Sequence, residues 1–240
     1  MAEAAAWAAG GAPHGALVVA EHQTAGRGRH GRTWTDAPGG SLMLSLVLRP
    51  HLRPDALGLV GLAAGLAVAE ALDGFGVGAA LKWPNDVRVS GRKVSGVLAE
   101  AAWTGPRPAV LLGVGLNVRS ESVPADLEHR ATSLSSEAGL LVGRLEPLRP
   151  LLDRLQVRLA DAEDRPDVLI SEVERRLEGT SSEVAVSFPG VEREPVRGRV
   201  LGLAPDGALR LDTSGGVVSV RAGEVTLKAG TEAGLASSAL

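Results

Sequence analysis

Residues 81–100, LKWPNDVRVSGRKVSGVLAE, alternate short apolar stretches with a proline and a tight-turn sequence. Short apolar stretches lie on both sides of Pro84, which disfavours a helical residue before it, so two short strands joined by a turn are predicted. Ser90 and Gly91 form a two-residue turn sequence ahead of a third strand, residues 94–102. The stretch therefore predicts an antiparallel unit with a tight hairpin.

Further apolar stretches outside this hairpin predict the rest of a domain of sheet and helices. The stretch from residue 56 to 69 has no charge and is rich in Gly and Ala, which predicts a buried helix within residues 54–73. At 14 residues it is shorter than the ~20 that span a bilayer. We also predict strands over 16–21, 41–48 and 109–118, a loop over 23–40, and helix over 146–178 with a break near Pro166.

The pattern changes after Gly179 to short alternating strands separated by turn residues, as in Pro205-Asp206-Gly207. Such a pattern is typical of a small barrel or sandwich. We therefore predict a larger domain over 1–179, a small C-terminal β-barrel over 180–228 and a disordered tail over 229–240.

Composition excludes several function classes. The chain of 240 residues has 25 basic and 28 acidic side chains, a net charge of −3, so no global basic field attracts nucleic acid or membrane. It has no cysteine, which excludes disulfides, a cysteine nucleophile and cysteine-bound zinc and fits a cytoplasmic protein. Aromatic residues make up 2 %, too few for a platform that stacks single-stranded bases. The N-terminus has no basic segment ahead of a long apolar one, so no secretory signal is predicted.

Glycines and arginines alternate in GRGRHGRTW, residues 26–34. The spacing fits a dinucleotide fingerprint, and also a P-loop with Arg in place of Lys, but both need a helix at the last glycine. Trp34 and the Pro-Gly-Gly after it do not continue a helix. Arginines that offer paired donors, on a backbone that approaches closely, instead indicate a clamp for a phosphate or carboxylate. A solvated arginine-rich loop or an RNA-binding loop are the alternatives.

Two of the three lysines of the chain, Lys82 and Lys93, lie near each other in sequence. The predicted hairpin places Lys93 near Asp86. An ammonium there could stabilise charge that develops on an acyl or phosphoryl oxygen, and a carboxylate could orient or deprotonate an amine. The alternative is a surface hairpin with an ordinary ion pair. GVGLN, residues 113–117, suits a flat ligand that lies on the backbone, with Asn117 in contact.

Four stretches, taken in order, resemble the biotin protein ligases: EHQTAGRGRHGRTW (21–34), LKWPNDV (81–87), GRKVSGVLAE (91–100) and GVGLNV (113–118). The resemblance runs from about residue 16 to 228. It implies an α+β fold, a mixed β-sheet with helices of the class II aminoacyl-tRNA synthetase and biotin ligase type, with a small C-terminal β-barrel. It implies a monofunctional enzyme that joins biotin to ATP, with Mg²⁺, and passes biotin to a lysine of a biotin carboxyl carrier domain, such as that of acetyl-CoA carboxylase.

The resemblance also assigns roles to residues. Lys93, Arg29 and Asp86 would be catalytic; Lys93 would bridge the biotin carboxylate and the α-phosphate, and Arg29 would retain the adenylate. Trp34 would stack on adenine, and Mg²⁺ would lie near Asp86. The residues expected to bind biotin are Gln23, Gly26, Arg27, Gly28, Arg29, Lys93, Gly96 and Gly115. Those expected to bind ATP or the adenylate are Arg27, Arg29, Arg32, Trp34, Lys82, Asn85, Lys93 and Asn117.

Two departures from the family pattern give further expectations. About 15 residues precede the first matched strand, where family members that repress transcription have a helix-turn-helix domain, so no DNA binding is expected. The family also has an upstream segment with Ser-Thr-Asn in its biotin pocket. Here MAEAAAWAAGG resembles the end of the helix that follows it, so we expect a longer natural product and weak biotin binding by residues 1–240.

Two other functions stay open at this stage: a lipoate or octanoate ligase of the same architecture, and a non-catalytic protein that binds biotin or a nucleotide. The expected partner is the carrier domain, with no DNA and no membrane, and the enzyme is expected to be a monomer or a homodimer.

Overall fold

A six-stranded sheet forms the centre of the larger part of the molecule, which we describe from a computed structural model over residues 1–35, 37–103 and 108–227. The strand order is β1-β2-β6-β5-β4-β3, and every neighbouring pair of strands is antiparallel. Parallel pairing occurs in isolated bridges to segments outside the six strands, Leu81 with Leu177 and Lys93 with Ala131, and these bridges make the sheet mixed. The strands are β1 (Ala16–Ala20), β2 (Ser41–Leu48), β3 (Ala80–Lys82), β4 (Asp86–Val89), β5 (Arg92–Ala102) and β6 (Ala109–Asn117).

The hairpin that joins β4 to β5 has the predicted two-residue turn. Ser90 and Gly91 both have positive φ, 48° and 76°, as a type I′ turn requires, and Val89 pairs with Arg92 across it. The register shifts by one residue between Val87 and Arg88, and beyond that irregularity Asp86 pairs with Gly96.

The described residues contain five α-helices, of which α1 and α2 pack on the sheet while α4 and α5 pack on α2: α1 (Ala2–Ala9), α2 (Gly58–Asp73), α3 (Leu134–Ala138), α4 (Leu148–Asp164) and α5 (Pro166–Arg175). Side chains alternate between the two faces of a strand, so the two faces of β2 meet different helices. Leu42, Leu44, Leu46 and Leu48 belong to the main core, where α2 packs. Val47 points to the other face and packs against Ala4 and Ala8 of α1.

Helix α2 is the predicted buried helix. Twelve of its 16 residues are buried, and the Gly and Ala positions let α4 and the sheet pack against it on several sides. The stretch Pro54–Asp73 is long and apolar enough to cross a membrane, with a mean hydropathy of 1.7, but 67 % of its window is buried inside the fold. Burial of this kind is expected of the core helix of a domain, so the stretch is weak evidence for a membrane span.

The C-terminal strands form a separate five-stranded antiparallel sheet in the order β10-β9-β8-β7-β11. The predicted closed barrel is wrong, because among the described residues β10 and β11 form opposite edges of this sheet and do not pair. The division into domains over 1–179 and 180–228 stays a prediction, and the tail over 229–240 lies outside the described residues. The strands are β7 (Glu183–Ser187), β8 (Val196–Leu203), β9 (Leu209–Thr213), β10 (Gly216–Val220) and β11 (Glu224–Leu227).

The small sheet is fixed to the larger part by buried contacts. The indole N–H of Trp83, a side chain only 4 % exposed, donates to the Gly207 carbonyl at 3.0 Å. Gly207 has a positive φ, and a Cβ there would meet Leu62 of α2 at 2.8 Å. The turn between β8 and β9 therefore lies directly over the segment that joins β3 to β4.

Candidate active site

A cleft of about 1150 Å³ opens on the face of the large sheet away from α2. The odd-numbered residues of β6 point to this face, and two of them, Gly113 and Gly115, leave the floor without side chains. The cleft also receives the glycine–arginine loop, the turn before β4 and the start of β11. Predicted site residues on its wall are Gln23, Arg27, Gly28, Arg29, Arg32, Trp34, Lys82, Asn85, Asp86, Lys93, Gly96 and Gly115; Gly26 lines the adjoining space under the loop.

The glycine–arginine loop closes on itself instead of starting a helix. The Gly28 amide donates to the Arg32 carbonyl at 2.7 Å, and the Trp34 amide donates to the Gly26 carbonyl at 3.1 Å. A Cβ at Gly26 would lie 2.2 Å from the Trp34 carbonyl oxygen, so only glycine fits there. Residues Arg29–Gly31 form a short 3-10 turn, which confirms that no helix follows and excludes the dinucleotide and P-loop interpretations.

Two of the loop's arginines pair with carboxylates at the rim. Arg27 contacts Glu100 of β5, and Arg32 contacts Glu224 of β11 at 2.5 Å. The side chains of Arg27 and Arg32 are 53 % and 67 % exposed, so each pair contributes little stability. Both guanidinium groups can therefore exchange these carboxylates for an anionic ligand at little cost.

Arg29 is held more deeply than its two neighbours. Its Nη1 donates to Oδ1 of Asn85 and to the Gly223 carbonyl, both at 3.3 Å. Burial lowers the pKa of this guanidinium, and Arg32 acts in the same direction, while Glu224 and Asp86 raise it. The group stays charged at neutral pH, and a half-buried cation with two neutral partners is well placed to bind an anion.

Lys93 and Asp86 form an ion pair inside the cleft, with Nζ 2.5 Å from Oδ1. The main chain of Lys93 is fixed on its other side, because its amide donates to the Arg130 carbonyl and its carbonyl accepts from the Thr132 amide, each at 2.8 Å. The backbone of Lys93 is thus held between β4 and the segment after β6, while its ammonium group faces the cleft.

Asn85 precedes this pair and is itself fixed. Its Nδ2 donates to the Val97 carbonyl at 3.1 Å, and the Val97 amide donates back to the Asn85 carbonyl at 2.9 Å. Its Oδ1 is therefore oriented toward Arg29. Lys82 lies on the same wall, at the end of β3.

The indole of Trp34 lies on the cleft floor. An ideal Cβ at Gly115 would be 2.7 Å from two of its ring atoms, and one at Gly96 would be 3.0 Å from a third. The Lys93 ammonium is 5.6 Å from the ring centre, within the range of a cation–π contact. The indole N–H is buried and has no hydrogen-bond partner among the described residues.

Asn117 is a predicted site residue that lines neither the cleft nor the adjoining space under the loop. It is 5 % exposed; its Nδ2 donates to the Thr132 carbonyl at 3.0 Å, and its Oδ1 accepts from Ser41 at 3.5 Å. Its amide therefore holds the segment at Thr132, and the residues just before Thr132 line the cleft.

Glu100, Gly223 and Glu224 contact the loop's arginines and were not among the predicted site residues. Glu100 ends one of the four matched stretches, and that was its only signal. The other two residues follow the loop by more than 190 positions and belong to another sheet, so no local pattern could link them to it. No cluster of three metal-ligating side chains occurs in the described ranges.

Two family models match the chain. One, described as the biotin/lipoate A/B protein ligase family, matches residues 5–117, and one described as the biotin protein ligase C terminal domain matches residues 182–228. The second match includes the small sheet and places Glu224 inside it.

Among the relatives that match, the biotin--[acetyl-CoA-carboxylase] ligase of Mycobacterium tuberculosis is 38 % identical over 88 % of this chain and 78 % of its own length. The bifunctional ligase/repressor BirA of Bacillus subtilis is 32 % identical over 90 % of this chain and 67 % of its own length. The solved biotin protein ligase of Aquifex aeolicus, in complex with biotin and ATP, superposes with a TM-score of 0.77, 31 % identity and 90 % coverage of both chains. With this similarity extending over both sheets, the chain belongs to the biotin protein ligase family.

Proposed function

We propose that this chain is a biotin–protein ligase, which activates biotin with ATP and transfers it to a lysine of a biotin carboxyl carrier domain. The observation that carries the proposal is the convergence of Lys93, Asp86 and three loop arginines on one glycine-floored cleft. The family membership supports the same reaction, and the match to a biotin ligase C-terminal domain does not favour a lipoate or octanoate ligase.

The first step joins two anions, so cations must offset their repulsion. A carboxylate oxygen of biotin attacks the α-phosphorus of ATP, the bond from that phosphorus to the β-phosphate bridging oxygen breaks, and pyrophosphate leaves. Arg27, Arg29 and Arg32 would hold phosphate oxygens with paired donors. Their present partners at the rim are carboxylates or neutral acceptors that a phosphate can replace.

Lys93 would contact both the biotin carboxylate and the α-phosphate. Its fixed main chain limits the ammonium group to the neighbourhood of Asp86, and such a group is already oriented when charge develops in the transition state. Lys93 is therefore the residue we expect the first step to depend on most.

The second step transfers the biotinyl group to an amine. The carrier lysine nitrogen attacks the carboxyl carbon of the adenylate, the bond to the phosphate oxygen breaks, and AMP leaves. Asp86 is the carboxylate on the cleft wall beside Lys93, and we assign it the proton that the attacking amine releases.

Arg29 would retain the adenylate between the two steps. Its contacts with Asn85 and the Gly223 carbonyl hold it across the cleft between the loop and the small sheet. A retained adenylate reacts with the carrier lysine instead of with water or other amines.

The ligands divide between the two ends of the cleft. Biotin would contact Gln23, the loop backbone at Gly26 and Gly28, and the glycine floor at Gly96 and Gly115. The nucleotide would contact Trp34, Lys82 and Asn85, with Asn117 acting from beneath. Mg²⁺ commonly binds proteins through one or two carboxylates plus substrate phosphates, and Asp86 fits that donor set. When bound, the ion would neutralise phosphate charge.

The carrier domain of acetyl-CoA carboxylase or a related carboxylase is the proposed partner. Cytoplasmic location, the absence of DNA and membrane binding, and a monomeric or homodimeric state stay predictions, as does weak biotin binding without a Ser-Thr-Asn segment.

Exchange of labelled pyrophosphate into ATP tests the proposed substrate. Exchange that requires biotin is expected, and lipoate and octanoate in parallel reactions should give none. Exchange with lipoate or octanoate instead of biotin would identify the other ligase, and nucleotide binding without exchange would indicate a non-catalytic binding protein.

A further inference from the structure

The glycine pair on the cleft floor is already covered by a ring of this chain. Gly96 and Gly115 are opposite each other on β5 and β6, and the indole of Trp34 lies against both. Real Cβ atoms essentially never approach other atoms within the 2.7 Å that alanine would require at Gly115. The indole and a ligand resting on the same backbone would therefore need the same space.

The present position of the indole leaves one of its own groups unsatisfied. Its N–H is buried without an acceptor among the described residues, and a buried donor without a partner is unfavourable. The Lys93 ammonium group lies 5.6 Å from the ring centre and makes a cation–π contact with the ring. The ring is therefore held by packing and by one cation, and its N–H would gain a partner in water if it left.

The loop can release this ring without opening. The loop is closed by main-chain hydrogen bonds, between Trp34 and Gly26 and between Gly28 and Arg32, and neither involves the indole. Rotation about the side-chain bonds of Trp34 would therefore break neither of these hydrogen bonds. We propose that the indole of Trp34 covers the Gly96–Gly115 pair in the ligand-free enzyme and that biotin displaces it, an inference that rests on the proposed function for the identity of the ligand.

Displacement has a measurable consequence for affinity. When a ligand binds only the uncovered state, its apparent affinity falls in proportion to the fraction of molecules in that state. Displacement also ends the cation–π contact between the ring and Lys93, whose ammonium group faces the cleft and is then available to the incoming carboxylate.

A first experiment tests the ligand-free state without any assumption about biotin. In a Trp7→Phe/Trp103→Phe background, the remaining tryptophans are Trp34 and the buried Trp83. Gly115→Ala should push the indole off the floor, which shifts its emission to the red and raises its quenching by acrylamide. Gly96→Ala is the second variant, in case Gly115→Ala does not fold; its Cβ would lie 3.0 Å from both the indole and the Lys93 ammonium group, so a smaller shift in the same direction is expected.

Gly113→Ala is the matched control, on the same strand and face. A Cβ there meets the flexible Met1 side chain at 3.0 Å and not Trp34, so emission should stay unchanged. Circular dichroism checks that the variants are folded. If acrylamide quenching of the folded Gly115→Ala and Gly96→Ala variants equals that of Gly113→Ala, the inference is overturned.

A second experiment measures biotin binding by calorimetry without ATP. Trp34→Ala removes the competing ring, so the biotin Kd should fall about five- to tenfold. An unchanged or higher biotin Kd would overturn the inference that biotin displaces the ring. If neither protein binds biotin, the proposed function fails and displacement by biotin fails with it, while the glycine variants still decide where the indole lies.

Discussion

The Nζ atom of Lys93 lies 2.5 Å from Oδ1 of Asp86, and this pair joins β4 to β5 at the cleft wall. Both side chains are partly exposed, at 34 % and 24 %, so the pair can open when an anion arrives. An ammonium group that exchanges a carboxylate of the protein for one of the substrate provides the charge that the first step needs.

Replacing Lys93 with alanine should stop adenylate formation. Loss of one charged group that stabilises a transition state costs at least about 100-fold in rate. Biotin-dependent pyrophosphate exchange measures this step. Arg92→Ala is the matched control, because Arg92 is adjacent, pairs with Glu137 at 2.6 Å and does not line the cleft. A near-normal rate for Lys93→Ala would refute the assigned role.

Asp86→Asn should slow transfer more than activation. Asparagine still accepts a hydrogen bond from Lys93 but takes no proton, so we expect a fall of roughly 100-fold in transfer, a common size for loss of a general base. Single-turnover reaction of preformed adenylate with the carrier domain isolates transfer. If the rates of activation and transfer fall by the same factor, Asp86 only positions Lys93 and does not accept the proton.

Arg29→Gly should release the adenylate. The variant loses the guanidinium group that is held between Asn85 and the Gly223 carbonyl, and escaped adenylate should then label lysines of bystander proteins. Labelling of added albumin, detected with streptavidin, measures escape. Arg53→Gly, an exposed arginine paired with Asp55, is the control. Albumin labelling no greater than that of the parent would mean that Arg29 does not retain the intermediate.

Trp83→Phe should destabilise the contact between the two sheets. The variant keeps most of the packing but leaves the Gly207 carbonyl without its donor, which costs about 1–3 kcal/mol for a buried group. Urea unfolding measures the change in the free energy of unfolding. Trp103→Phe, at a position 68 % exposed, should change it little, so equal effects of the two substitutions would contradict the predicted contact.

The local elements could be predicted from the sequence where a single pattern determined them. Ser90-Gly91 specified its hairpin because only a primed turn matches the twist of two strands joined by two residues. The apolar stretch of α2 specified a buried helix, and β2 and β6 followed from their apolar runs. The break at Pro166 fell where α4 ends and α5 begins.

The predictions that failed, and the contacts that were not predicted, depend on segments that are distant in the sequence. Strand propensity in 180–228 did not determine whether β10 would meet β11, and the sheet stayed open. Glu224 contacts Arg32, 192 positions earlier in the chain. Asn117 is held by the segment at Thr132, and no sequence motif predicts where that segment lies. The contact of the Trp34 indole with Gly96 and Gly115 depends on a surface without side chains, and that surface exists only when β5 pairs with β6.

Mass spectrometry of the purified chain after incubation with ATP, Mg²⁺ and biotin tests the proposed reaction most directly. We expect biotinyl-5′-AMP in the wild-type reaction and none in the Lys93→Ala reaction. Absence of the adenylate from the wild-type reaction, while ATP and biotin both bind, would contradict the proposed reaction.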